Sequence, residues 1–386
     1  MMKAWRSLLI FVSLVFAASR PAFAQDKVGE ATYVDGGVSL ERDGQALDQS
    51  EVQTGLEIQN FDMVKTGADG LAEVNVDNPK APAITIKVSP RTQFSFELAS
   101  LESRQKASIG LLGGSISLKV GKLAGSQDLN VVMNNAVMGV RGTEFTVTSV
   151  PSGDVLVVCT SGDVVLTDES GKEVHAVPGS AVEKRAGEKF VTVPTGPGDP
   201  DGFRKKWEQE RLEALKEHAL DVIQREALTY DRLVDEFTNT YAALQEKRDL
   251  LARWEAEDKT GAGAANDKEE KEKAEIADLI ADLRETQFLL ERVHFRLLGL
   301  KDYHDQGLGD GEIRHGLTTT EFFERFEKDR AELEREMAKV RLVTKLVVHH
   351  DKGHDRTLVT DLKKFYEKRQ AHLKKIQNKR LVKKTT

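Results

Sequence analysis

Eight residues divide this chain into two halves that obey different periods. Thr195-Gly196-Pro197-Gly198-Asp199-Pro200-Asp201-Gly202 carries two prolines and three glycines. Proline has no N–H for a ladder or a helix, and glycine is costly to order, so neither element continues across such a run. Residues 195–202 therefore read as a linker, with an all-β domain over residues 25–194 and an all-α domain over residues 203–386.

The first half is rich in short runs of β-branched residues between Gly, Asp and Asn turns. Ala31-Thr32-Tyr33-Val34, Val38-Ser39-Leu40, Ile84-Thr85-Ile86-Lys87-Val88 and Leu129-Asn130-Val131-Val132 are examples. Such spacing suits a sandwich, a barrel or a coiled β-solenoid, and spacing alone does not choose among them. The lone cysteine, Cys159, sits in the apolar run Val155-Leu156-Val157-Val158-Cys159, where it reads as a core filler. A single cysteine can form no internal disulfide.

One strand poses a problem of charge. In Val137-Met138-Gly139-Val140-Arg141-Gly142-Thr143-Glu144-Phe145-Thr146-Val147, strict alternation puts Arg141 on the same face as Phe145 and Val147. Burying that guanidinium would cost several kcal/mol unless it were well paired. A bulge at Gly142 removes the conflict, because one extra residue flips the register and lets Val140 and Phe145 both face inward. Two readings follow: a structural corner that needs a small residue, or a recognition surface formed by Arg141, Gly142, Thr143, Glu144 and Phe145.

The second half repeats at helical spacing. From residue 203 to 256 no Gly or Pro intervenes, and apolar residues fall at Leu212, Leu215, Ala219, Ile223, Ala227, Tyr230, Val234, Phe237, Tyr241, Leu244 and Leu251. Most steps are heptad steps, with a stutter near Ala219–Ala227. One helix of about 80 Å is expected, at about 1.5 Å per residue. A helix that long needs partners to bury its stripe. Three are expected: Lys268 to Tyr303, ended by the Gly307–Gly311 turn; a third opening at the Thr318-Thr319-Thr320-Glu321 cap; and a fourth after Gly353. Together they suggest an elongated bundle or coiled-coil hairpin, with homo-oligomerisation through the same stripes as an open possibility.

The N-terminus has the form of a targeting segment. Lys3 and Arg6 precede the apolar run Ser7–Ala18, and Ala22-Phe23-Ala24 is a small-x-small cleavage pattern before Gln25. At about 1.5 Å per residue the run falls short of the ~30 Å apolar thickness of a bilayer, so residues 1–24 read as a cleaved signal peptide. A periplasmic or secreted protein is expected. The formal net charge of −7 does not mark a nucleic-acid binder, and it hides regional contrast. Residues 26–200 carry a net −9, whereas residues 361–386 carry a net +8. That basic helix suits an anionic surface, an acidic partner or plain solvent.

Motifs for chemistry are sparse. No nucleophile elbow, phosphate-binding glycine loop or H-E-x-x-H occurs. The cluster His349-His350-Asp351-Lys352-Gly353-His354 has metal-ligating side chains, but adjacent histidines on a helix point about 100° apart and do not face one ion together. Tyr303–Glu312 holds carboxylates without the spacing of a calcium loop. No cofactor, no metal and no catalytic residue is assigned.

Several runs resemble the FecR domain, the periplasmic part of bacterial iron-transport signalling regulators. They are Asp62-Met63-Val64-Lys65-Thr66-Gly67, Ile84–Thr92 with its Ser89-Pro90-Arg91-Thr92 end, Leu112-Gly113-Gly114-Ser115-Ile116, Val140-Arg141-Gly142-Thr143-Glu144-Phe145, Ser161-Gly162-Asp163-Val164 and Pro178-Gly179-Ser180-Ala181-Val182. The likeness covers about residues 54–190. It implies a β-solenoid or β-helix-like stack of strands. A signal peptide is expected here in place of the family's sigma-factor-binding segment. Asp77-Asn78-Pro79-Lys80-Ala81-Pro82 replaces the family's usual Asp-Gly-Ser turn. The leading expectation is a non-enzymatic envelope protein whose β domain binds a protein or ligand and whose helices form an oligomerising or spacer arm. The alternatives are a relay of signals from outer-membrane transport to a membrane regulator, and a metal-binding protein or hydrolase using His349–His354.

Overall fold

The computed structural model describes residues 27–350, apart from 78–82, 102–103, 122–126, 134–135, 141, 169–170, 197 and 261–266. The expected signal peptide, the fourth helix and the basic C-terminal segment lie outside the described residues.

The strands are β1 (Lys27–Asp35), β2 (Val38–Arg42), β3 (Gln45–Ala46), β4 (Glu57–Gln59), β5 (Met63–Thr66), β6 (Leu71–Val76), β7 (Ile84–Val88), β8 (Gln93–Leu101) and β9 (Arg104–Val120). They continue with β10 (Gln127–Met133), β11 (Ala136–Val140), β12 (Glu144–Ser149), β13 (Val155–Ser161), β14 (Val164–Asp168), β15 (Glu173–Ala176), β16 (Ser180–Lys184) and β17 (Val191–Pro194). Two sheets result. The first runs β4-β1-β6-β7-β9-β12-β13-β16-β17. The second runs β3-β2-β5-β8-β9-β10-β11-β14-β15.

The inward residues of both sheets meet in one apolar core that includes Ile86, Phe94, Ile109, Met138, Phe145 and Val157. Alternation produces it directly: in β7, Ile84, Ile86 and Val88 are buried while Lys87 is exposed. Each such side chain contributes about 1.5–3 kcal/mol on burial. The expected solenoid of coils is not what forms. Among the described residues every strand pairing in the two sheets is antiparallel except β9 with β10. The coiled solenoid read from sequence is thus replaced by a sandwich of two facing sheets.

Strand β9 belongs to both sheets. Its first part pairs with β8 and β10, and its last part with β7 and β12. The switch falls at Gly113-Gly114, where Gly114 has φ +89° and a Cβ would lie 2.3 Å from Thr92 Oγ1. Only glycine fits that corner.

The helices are α1 (Pro200–Glu217), α2 (Ala219–Gln245), α3 (Arg248–Thr260), α4 (Asp267–His304) and α5 (Thr319–His350), with a small hairpin of β18 (Glu312–Arg314) and β19 (Leu317–Thr318) before α5. Asp199 caps α1, its Oδ1 accepting from Gly202 N at 2.8 Å, and Pro200 opens the helix. The single helix expected over 203–256 is broken at His218 (φ −119°, ψ 24°) and again between Gln245 and Arg248. The first break coincides with the stutter and follows a change of packing, since most of α1 faces the sandwich while its last turn, through Leu215, already joins the core of α2. Phe203, Trp207 and Leu212 of α1 cover Leu156, Val158 and Ala181 on the outside of the first sheet. The stripe of α2 instead packs with α4 and α5, through Tyr230, Phe237, Leu290, Val293, Phe326 and Val340 among others.

The helical half also lies on the sandwich rather than extending from it as an arm. Phe288 of α4 packs with Met63, Leu112 and Val132 on the outside of the second sheet. Gly113 lets the chain pass under Phe295, whose ring carbons would sit 2.6 Å from a Cβ there. The cap at Thr318–Glu321 forms as the sequence implies: Glu321 N donates to Thr318 Oγ1 at 3.2 Å and Thr318 N to Glu321 Oε2 at 2.8 Å. The Thr318 N–H and hydroxyl, both donating to the Glu321 carboxylate, hold it below its usual range. No helix among the described residues is long and apolar enough to cross a membrane.

Candidate functional site: an open sheet face and a charged seam

Several turns of the β half are corners where the chain crosses between sheets. Asp62, 1% exposed, accepts from the Arg42 fork at 3.0 and 2.7 Å and from Gln59 N at 2.7 Å. Burial pushes its carboxyl up from the usual range, against the pull of Arg42. Thr66, Thr92 and Ser115 form a ladder of buried hydroxyls: Thr66 Oγ1 accepts from Thr92 N and Thr92 Oγ1 accepts from Ser115 N, both at 2.9 Å. Ser115 continues it to Thr148 at 2.9 Å. Satisfied networks of this kind rigidify a corner, and an unpaired member would be costly.

The candidate surface at 141–145 resolves residue by residue. Gly142 has φ +61°, Thr143 is 2% exposed, Glu144 is exposed and Phe145 is 1% exposed. Arg141 lies outside the described residues. Val140 and Phe145 both enter the core, as expected, but by a different device. β11 pairs in the second sheet and β12 in the first, so Gly142 and Thr143 sit at a corner between sheets rather than at a bulge within one strand. Gly162, φ +88°, lets the β13–β14 turn rest on Thr143, where a Cβ would lie 2.6 Å from the threonine methyl.

Glu144 points from the outer face of the first sheet. Two cross-strand rows cross that face. One aligns Asn75, Thr85, Lys119 and Glu144; the other aligns Glu73, Lys87, Ser117 and Thr146. Lys87, Lys119 and Glu144 are exposed, and Ser117 bonds Thr146 at 2.8 Å. Tyr33, 48% exposed, stands beside Glu73. The rows end at β13, where α1 begins its cover. This part of the sandwich surface is open and mixed in charge.

The outer face of the second sheet is the opposite case. Residues 283–294 of α4 are buried on every side, charged ones included. Arg284 pairs with Glu97 of β8. Arg341 of α5 joins Glu291 of α4 to Glu41 of β2, reaching Glu41 Oε1 from Nε at 3.1 Å. Gln287 donates to Glu291 Oε1 at 2.6 Å and to Met337 O at 2.8 Å. Lys345 reaches Asp43 at 2.8 Å. A cleft of about 150 Å³ runs along this seam, bordered by Ser39, Met63 and Lys65 of the sandwich and by His294, Glu334 and Arg341 of the helices. His294 Nε2 meets Glu334 Oε1 at 3.0 Å. Burial alone would raise Glu334, but the His294 hydrogen bond and the charges of His294, Arg330 and Lys65 leave it below its usual range. Chemically the arrangement is a set of mutual clamps between charged groups.

The comparisons with known proteins bear on the sandwich. Residues 62–165 match the family described as FecR protein. These residues are a FecR domain. No curated protein matches the chain significantly. Two crystal structures of a "putative anti-sigma factor" from Parabacteroides distasonis ATCC 8503 are similar at 12% identity, covering 34% of this chain and 59% of that one, with a TM-score of 0.29. The chain thus spans a little under two thirds of those chains' length.

The FecR match begins at the buried Asp62 and ends in β14, whereas the sandwich runs from β1 to β17. Asp62, Thr66, Thr92, Gly114 and Thr143, all within the matched residues, are corner residues. The metal candidates lie elsewhere. His349 and His350 close α5, and Asp351–His354 lie outside the described residues. In the Tyr303–Glu312 turn, Asp305 pairs with Lys301 at 2.6 Å and Asp310 with His304 at 3.1 Å. Among the described residues no cluster of three or more His, Cys, Asp or Glu is arranged to hold a metal ion. Sequence reading missed the seam residues Glu41, Glu97, Arg284, Glu291 and Arg341. One signal was present: Leu283, Phe288, Leu289, Leu290, Val293 and Phe295 put apolar residues on all faces of α4, the pattern of a helix buried all round.

Proposed function

We propose that this protein is a non-enzymatic regulatory component of the bacterial cell envelope that works by binding another protein through the open face of its FecR domain. The observation that carries this reading is the unequal treatment of the two sheets. The helical half covers the second sheet and the β13–β16 end of the first, and leaves Glu73, Lys87, Lys119 and Glu144 facing solvent. Alternating charges on a rigid sheet select a complementary partner more through specificity and encounter rate than through raw affinity. The helices then act as a brace that holds the sandwich, in place of a spacer arm. The signal-like N-terminus supports export, and the FecR match supports a signalling role.

The test is capture from envelope extract by the immobilised full chain, beside a variant carrying Lys119→Glu and Glu144→Lys. Recovery of a protein by the native chain, and its loss with the variant at unchanged circular dichroism, supports the reading. Equal recovery by both chains contradicts it. The FecR match also favours a second, narrower reading, a relay from outer-membrane transport to a membrane regulator. Recovery of a transporter signalling domain or a membrane-bound regulator distinguishes that role from scaffolding.

A further inference from the structure

A second hollow lies on the far side of α4 from the charged seam, where the turn between β16 and β17 meets α2 and α4. It encloses about 280 Å³ and is lined by Lys184, Glu188, Arg225, Glu226, Arg292 and Arg296, among others. Four of these side chains are basic. Arg292 and Arg296 are 7% and 6% exposed, Arg225 is exposed and Lys184 is half-buried at the rim. The buried carboxylate in this lining is Glu226, whose two oxygens are divided between Arg225 at 3.1 Å and Arg296 at 3.5 Å. The other acid, Glu188, is exposed.

The buried guanidinium of Arg296 is under-used. It lies against Gly153, and its Nε and Nη2 have no hydrogen-bond partner. Beside it, Ser152, whose carbonyl accepts from Arg225 at 2.6 Å, has a buried hydroxyl that also lacks one. Buried donors left without acceptors are costly, and a buried cation more so. An oxyanion entering the hollow would supply what is missing. Guanidinium forks match the oxygens of a phosphate group with paired, charge-assisted bonds.

We propose that this hollow binds the phosphate group of a small phosphate ester. Arg296 and Arg292 face the phosphate from α4, Arg225 closes on it from α2, and Lys184 adds charge from the end of β16. The volume exceeds that of a phosphate alone, so Thr229 and Glu188 at the edge meet the hydroxyl-bearing remainder of the molecule. The ligand would span the FecR sandwich and two helices, tying them together. The same chemistry is offered by a free ester and by a phospholipid headgroup.

Calorimetric titration of the full chain tests this at fixed ionic strength, with inorganic phosphate and with glycerol 3-phosphate as probes. Flotation with phosphatidylglycerol vesicles forms the third arm. The variants are Lys184→Gln alone and Lys184→Gln with Arg225→Gln, both at exposed or half-buried positions, checked by thermal melting. Saturable binding of a soluble probe, weakened tenfold or more in the double variant, supports a free ester. Binding only to vesicles, with the same loss in the variant, supports a headgroup. No saturable binding in any arm overturns the proposal, and so does binding that the double variant leaves unchanged.

Discussion

The interior of the sandwich and the seam beneath α4 are both shielded from water, yet they are built from opposite chemistry. The interior is aliphatic and aromatic, drawn from alternate residues of paired strands. The seam combines Phe288 and its apolar neighbours Met63, Leu112 and Val132 with Arg284–Glu97, Arg341–Glu291 and Arg341–Glu41. Apolar burial adds stability in proportion to area. Buried ion pairs return little net stability, because desolvation offsets attraction, but they penalise any mispairing heavily. The sandwich is therefore expected to hold itself together, while the seam determines where the helices dock.

The largest test removes a core anchor. Phe145→Ala is expected to cost about 3–5 kcal/mol and unfold the whole sandwich earlier in urea. A loss under about 1 kcal/mol would break the contrast, since it would make the interior no better packed than the surface. Next comes the seam: Arg341→Ala leaves Glu41 and Glu291 facing each other without their cation and is expected to cost about 3 kcal/mol. Hydrogen exchange should then rise in α4 and α5 while β7 and β12 stay protected. Replacing Arg341 and Glu291 together by Met should restore most of the loss, which an apolar interior position would not show.

Smaller effects sharpen the picture. Asp62→Asn keeps the shape of the corner but removes the charge that faces Arg42, at an expected cost of about 1.5–3 kcal/mol by urea unfolding. The smallest effect is one of pH. The Glu334 carboxyl is held below its ordinary value of 4.5 in the folded protein. Unfolded chains thus bind a proton first, and the contribution is present above pH 4.5 and lost as pH falls through the lower, folded value. Comparing melts of the native chain and Glu334→Gln from pH 6 to pH 3 (a range chosen to bracket, roughly, the usual carboxylate region) should show the native chain losing its advantage on the acid side. Because Glu334 is half-exposed, added salt should shrink the difference.

What could be read without coordinates follows the range of the interactions. The alternation of β7, the inward Phe145 and the Thr318–Glu321 cap all depend on neighbours a few residues away, whereas the linker read over residues 195–202 overlaps the first turn of α1, which opens at Pro200. Strand partners do not: β1 pairs with β6 and β13 with β16, so runs of similar strands fit a solenoid as well as a sandwich. The corner at Gly142 was visible as a conflict of charge and register, but whether it bulged one strand or joined two sheets depends on which strands lie beside it. Arg341 and Glu41 are 300 residues apart, and nothing local in either segment announces the pair. The break at His218 was foreshadowed by the stutter, though its cause, a helix shared between two cores, belongs to tertiary packing.

Docking of the helices onto the sandwich can be measured most directly by zero-length carbodiimide cross-linking followed by peptide mass spectrometry. Lys345 Nζ lies 2.8 Å from Asp43 Oδ1, across the seam. An intramolecular peptide joining residues 43 and 345, lost in Lys345→Arg, is the result expected. If local pairs such as Lys216 with Glu213 are joined while residues 43 and 345 never are, the helices do not lie on the sandwich and the account fails.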